Sequence, residues 1–270
     1  MKKLGLCLAG GGARGAYQIG VAARLEELGI LSQVSAFSGT SIGSVNAVLL
    51  STKTPEEAYH LWTSISNDDI KSAENVFKRL WNEKLAIIDK GLYSIEALRT
   101  KLWTEIDFDL LRKKEVYATL SDAGLADDSL IGLFKGGYRH YIQKDSKAVY
   151  RKLSDYSNEE IVNQILASCS IPIVFPSVKT HDRQYYDGGL FDNVPVAPLI
   201  AAGCDTILVI HLHLHTFFDK NKYPNVKIIE INHAHSLGGL LNFDPNHTES
   251  CYQLGYADAL ALFEKIDLPL

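Results

Sequence analysis

The chain has 270 residues, enough to bury a large core, and its 46% hydrophobic and 22% charged make-up is that of an ordinary globular protein. A net charge of -5 at pH 7 gives no basic excess to attract nucleic acid. Cys7, Cys169, Cys204 and Cys251 lie far apart among apolar neighbours, which predicts free thiols in a reducing compartment and neither a disulfide frame nor a zinc site.

The chain opens "MKKLGLCLAGGG". The apolar run 4–9 is too short for the core of a signal peptide and is followed at once by glycines, so a buried strand is expected. No run has the length to cross a bilayer; the best, 196–210, is broken by Pro198 and Asp205. The expectation is a cytoplasmic protein. After the loop at 10–12, a helix is predicted with Tyr17, Val21, Leu25 and Leu28 on one face and Gly29 as its stop. A second strand at 34–38 turns through "GTSIG" into a short helix carrying Val45, Val48 and Leu49. "TPEE" at 54–57 reads as a helix start, with Thr54 as cap, Pro55 in the first turn and Glu57 reaching back.

Residues 55–150 carry no recognisable motif, and 67–152 is a variable middle region and candidate lid; within it a helix near 94–103 and a strand near 116–120 are expected. Segment 133–152 holds six basic residues (Lys135, Arg139, Lys144, Lys147, Arg151, Lys152) against one acid, Asp145, and reads as a solvated face able to meet anionic headgroups. "SNEE" at 157–160 starts another helix, capped by Ser157, running to about 168. Tyr185 and Tyr186 end a short strand before Asp187. Strands at 206–212 and 226–231 and a last helix at 248–263 follow. Strands alternating with helices predict one α/β domain over 1–270 with a largely parallel sheet.

"GGGARG" at 10–15 fits G-x-G-x-x-G through Gly10, Gly12 and Gly15, between a strand and a helix. One reading is a dinucleotide fingerprint, but that wants an acid at the end of the second strand, which here ends "AFSG". The other uses the backbone N–H groups of consecutive glycines at a helix start to hold an anion, such as the oxyanion of acyl transfer, with Arg14 adding positive charge. In "GTSIG" a serine, Ser41, sits at the apex of a strand-to-helix turn between Gly39 and Gly43, the setting of an exposed nucleophile. Such a hydroxyl needs a base. "HLHLH" at 211–215, with His233, His235 and His247, keeps a Ser-Asp-His triad open; its alternation first signals a strand with histidines on one face and leucines on the other. "YYDGGLFDNVP" offers Asp187, followed by Gly188 and Gly189 that allow a tight turn. A carboxylate in a partly dry cleft becomes more basic.

The motifs GGGARG (10–15), GTSIG (39–43), ASCSIPIVFP (167–176) and DGGLFDNVP (187–195), in this order, resemble the patatin-like phospholipase family. That family often has a second proline where this chain has Ser177 after Pro176. The resemblance implies a three-layer α/β fold, a largely parallel central sheet flanked by helices, and a Ser-Asp dyad without histidine. Carried onto this sequence, Ser41 is the nucleophile and Asp187 the base, Gly11, Gly12 and Ala13 supply oxyanion N–H groups, and Arg14 supports them. It implies hydrolysis of an acyl ester of a phospholipid, lysophospholipid or neutral acylglycerol, with no cofactor and no metal. The apolar stretches at 216–218 and 236–243 are candidates for lining an acyl pocket or touching a membrane, beside the plainer reading of loops packed on the core. The oligomeric state has no signature in the sequence.

Overall fold

A computed structural model describes residues 3–64, 96–125, 147–170, 178–180, 183–214 and 218–266. Its centre is β1 (Leu4–Leu8), buried along its whole length. It pairs in parallel with β2 (Val34–Thr40) on one side and β7 (Thr206–Ile210) on the other. β3 (Glu115–Leu125) continues the parallel set beyond β2, and β8 (Lys227–Ile231) beyond β7. Antiparallel β4 (Lys147–Lys152) lies along β3, and a hairpin of β5 (Val178–Thr180) and β6 (Arg183–Asp187) also joins β3.

The pleat sends alternate residues to opposite faces. Leu4, Leu6 and Leu8 of β1, with Phe37, Leu208 and Ile210, enter the larger core. That core is covered by α1 (Ala16–Glu27), α2 (Ile42–Thr52), α3 (Pro55–Thr63), α4 (Glu96–Glu105), α5 (Phe108–Leu111), α6 (Asn158–Ser168) and α8 (Pro245–Phe263). Cys7, Ala9, Ala36, Ile207 and Val209 face the other way, onto Val194, Val196 and Leu199 around the short α7 (Ala197–Ala201). A parallel strand buried on both faces needs cover on both, and this gives the three-layer α/β fold expected from the sequence.

Several local signals act as expected. Thr54 and Glu57 form a reciprocal capping box on α3, and Ser157 and Glu160 form another on α6. Gly29 ends α1 in the left-handed region at φ 69°. All four cysteines are free and buried. Other expectations need correction. Leu28 is exposed, because α1 ends one residue before it. The strand expected over 206–212 stops at Ile210, so "HLHLH" does not alternate: His211 and Leu212 are both buried in the bend that follows. The basic segment contributes β4 to the sheet, with Lys152 near Glu115 and Arg151 on the Tyr185 hydroxyl. Lys135, Arg139, Lys144 and Asp145 lie outside the described residues, as do 171–176 of the third motif, His215, Thr216 and Phe217, and the candidate lid over 67–95 and 126–146.

Candidate active site

β2 delivers Ser41 to the start of α2 at φ 55°, ψ -128°, and it is the one non-glycine residue with positive φ among the described residues. Such a conformation costs of order 1–3 kcal/mol and persists only where its surroundings hold it. Here they do. The Ser41 N–H donates to Ser168 Oγ at 3.0 Å, and the Ser41 carbonyl accepts from the Ser44 N–H at 2.8 Å and from Ser44 Oγ at 2.7 Å. The flanking glycines let three backbones cross. A Cβ at Gly39 would come within 2.1 Å of the Gly43 carbonyl oxygen, and one at Gly43 within 2.1 Å of that of Leu8.

Asp187 lies more than half the chain away in sequence, and the sheet brings it to Ser41. β2 pairs with β3 up to Thr40 opposite Thr119, and β6 takes over at Asp187 opposite Leu120. β4 spans both stretches of β3 and so occupies its other edge. β2 and β6 therefore follow each other along one edge of β3, the first ending where the second ends. Gly188 packs so tightly there that a Cβ would sit 2.3 Å from the Thr119 carbonyl oxygen. The Asp187 N–H donates to the Ser170 carbonyl at 2.9 Å, and Oδ1 accepts from the Gly189 N–H at 2.8 Å. Burial raises the Asp187 pKa to about 6; hydrogen bonding by the Ser41 side chain and the Gly189 N–H acts against that rise. The buried Oδ2 has no hydrogen-bond partner among the described residues.

The glycine loop lies against this pair, with a Cβ at Gly10 only 3.3 Å from Ser41 Cβ. Asn193 holds Gly10 twice, its carbonyl accepting the Gly10 N–H and its Nδ2 donating to the Gly10 carbonyl, each at 3.3 Å. Residues Gly12–Gly15 form a tight turn into α1, entered by Gly12 at φ 57°. The Gly11 and Gly12 N–H groups have no acceptor among the described residues. One expectation is corrected here. The Ala13 N–H is engaged by the Leu240 carbonyl at 2.7 Å. The Arg14 guanidinium donates to the Gly238 carbonyl from Nε (2.8 Å) and Nη2 (2.6 Å) and to the Leu212 carbonyl at 3.3 Å, tying the glycine loop to the two segments beside it. His213 Nδ1 lies 3.3 Å from Arg14 Nη1, and burial and that charge lower its pKa, favouring the neutral ring. Behind the loop runs a buried polar chain: Trp62 Nε1 donates to Asn46 Oδ1, Asn46 Nδ2 to Gln18 Oε1 and to the Gly15 carbonyl, and Gln18 Nε2 to the Ala9 carbonyl. With every link satisfied, such a network rigidifies the elements it joins, here α1, α2, α3 and the loop.

The histidines have other partners. His211 Nε2 meets Glu230 at 3.1 Å, His233 Nδ1 the His235 carbonyl at 2.7 Å, and His247 Nε2 the Leu237 carbonyl at 2.7 Å. Among the described residues no group of three or more His, Cys, Asp or Glu is placed to hold a metal ion, and no helix is long and apolar enough to cross a membrane.

The family model for patatin-like phospholipases matches residues 6–200. The chain belongs to the patatin-like phospholipase family. It is 28% identical over 193 residues to a protein named "Probable lipid hydrolase 463L" of Invertebrate iridescent virus 6, covering 71% of this chain and 61% of the viral one. It is 26% identical over 207 residues to lysophospholipase NTE1 of Saccharomyces cerevisiae, covering 77% of this chain and 10% of the yeast one. The chain thus spans less than two thirds of the length of either relative. The fold is shared with VipD from Legionella pneumophila at a TM-score of 0.55 and 14% identity, over 97% of this chain and 66% of that one. Sequence reasoning passed over Ser168 and Asn193, although both sit inside quoted motifs. Leu240 carries no sequence signal, because only its carbonyl takes part.

Proposed function

We propose that the chain is a lipid acyl ester hydrolase acting through Ser41 and Asp187. One observation carries this reading: a strained, anchored serine stands beside a buried carboxylate whose pKa is about 6 and whose Oδ2 is unpartnered among the described residues. A base with that pKa is largely ionised at neutral pH yet still holds a proton well enough to return it. Ser41 Oγ attacks the ester carbonyl carbon as its proton passes to Asp187. The tetrahedral oxyanion takes the N–H groups of Gly11 and Gly12. Collapse breaks the ester C–O bond, and Asp187 returns the proton to the departing alcohol. Asp187 then deprotonates a water that attacks the acyl-serine, the acyl C–Oγ bond breaks, and Asp187 returns the proton to Oγ, releasing a fatty acid and restoring Ser41.

A lipid substrate is supported by the names of the two relatives and by the surface around the site. Leu240 and Leu241 are exposed on the segment that holds Ala13, Leu214 follows the bend that holds Arg14, and Phe191 follows the Gly188 turn. Exposed apolar side chains on the segments that hold the site loops suit acyl chains or contact with a membrane.

The test is fatty acid release from diacyl phospholipid, lysophospholipid, triacylglycerol and a short activated ester. Ser41→Ala and Asp187→Asn are expected to abolish release, and Ser41→Ala to abolish fluorophosphonate labelling. Substitution of His211, His213, His233 or His247 is expected to leave turnover standing. Loss of activity in a folded His211→Ala or His247→Ala variant would refute the dyad. With Asp187 as base, kcat/KM should rise with pH through one inflection near 6, because only the carboxylate accepts the proton.

A further inference from the structure

α6 ends beneath the site, and its last turn holds both members of the pair. Ser168 is fully buried. Its Oγ accepts the Ser41 N–H at 3.0 Å and donates to the Thr119 carbonyl at 2.7 Å. Thr119 is the β3 residue opposite Thr40, next to Leu120 opposite Asp187. Two residues on, the Ser170 carbonyl accepts the Asp187 N–H at 2.9 Å, while Ser170 Oγ ties back to the Leu166 carbonyl at 2.8 Å. The Ser168–Ser170 turn therefore grips the backbone of Ser41 through a side chain and the backbone of Asp187 through a carbonyl.

We propose that Ser168 is a positioning residue of the reaction, its hydroxyl fixing the Ser41 backbone relative to β3 and so setting the nucleophile opposite Asp187. The strained turn explains the need. The Ser41 N–H at this turn takes Ser168 Oγ as its acceptor, in a buried space where an unmatched donor is costly. A hydroxyl is the smallest side chain that can accept this N–H and donate onward to β3 in the same step. Alanine would leave the Ser41 N–H without its acceptor and the Thr119 carbonyl without its donor. The turn could then relax toward ordinary backbone angles and carry Oγ off line. Ser168 touches no substrate, so binding should be spared.

This inference rests on Ser41 being the nucleophile, and the experiment separates the two. The full chain and its Ser168→Ala, Ser168→Cys, Ser168→Thr and Ser41→Ala variants are compared for fluorophosphonate labelling rate, for kcat and KM on a short activated ester, and for thermal midpoint. Ser168→Ala and Ser168→Cys should label and turn over about a hundredfold more slowly, the scale of a small misplacement of a reacting group, with KM unchanged. Ser168→Thr keeps the hydroxyl and should recover most of the rate. A purely structural role would lower the thermal midpoint and leave kcat intact in the folded variant. A folded Ser168→Ala or Ser168→Cys with wild-type labelling would overturn the proposal. Ser168→Cys leaves no cavity and offers only a weak donor and acceptor, so it decides the matter where Ser168→Ala does not fold. Labelling that survives Ser41→Ala would instead overturn the assignment of the nucleophile.

Discussion

At the scale of single residues, the site trades stability for reactivity. Asp187 is 7% exposed, and its carboxylate form lacks the solvation that the unfolded chain would give it. Its pKa is raised from 3.8 to about 6, so native protein binds this proton more tightly than unfolded protein. The associated stability is fully present below pH 4 and is lost as pH rises through 6. Asp187→Asn should therefore stabilise the fold at pH 7 by up to about 3 kcal/mol while abolishing turnover. Thermal midpoints of the two proteins should converge below pH 4, where Asp187 is protonated in folded and unfolded chain alike. Ser41 carries a second cost, in its backbone. Glycine accepts φ 55° without Cβ strain, so Ser41→Gly should exceed Ser41→Ala in stability by roughly 1 kcal/mol, measured by denaturant unfolding.

At the scale of elements, close approach of backbones decides where side chains are forbidden. α1 and α8 cross at Gly20 and Gly255, where a Cβ would come within 1.9 Å of the Tyr252 carbonyl oxygen and 2.0 Å of the Tyr17 carbonyl oxygen. Helix propensity alone favours alanine over glycine by about 1 kcal/mol. Here the packing cost should win, since the obstacle is backbone, which yields only if the helices separate. Gly255→Ala should destabilise by about 1–3 kcal/mol net, read as a lower midpoint in urea. The capping boxes of α3 and α6 were legible because each is completed within four residues. β4 was not, because its basic side chains read as a solvated face and its pairing partner β3 lies elsewhere in the chain.

At the scale of the molecule, the family match ends at residue 200, but the folding unit does not. β7 flanks the fully buried β1, and the 237–240 segment before α8 supplies the carbonyls that hold Ala13 and Arg14. A chain cut after Ala201 would expose the ladder edge of an apolar strand, and it should be recovered insoluble or unfolded by circular dichroism. The sequence by itself determined the α/β class, the strand–glycine–helix opening, the elbow at Ser41 and the choice of Asp187 as its candidate partner. These rest on periodicity, on glycines at tight turns and on four motifs in order. Only the tertiary structure decided that Ala13 and Arg14 are engaged by the 236–243 segment, that His211, His233 and His247 pair with Glu230 and with backbone carbonyls, and that Ser168 anchors the turn. Each of these turns on which backbone carbonyl or N–H lies opposite a given atom. A carbonyl is common to every residue, so sequence carries no mark of it; the fold alone chooses the pairing.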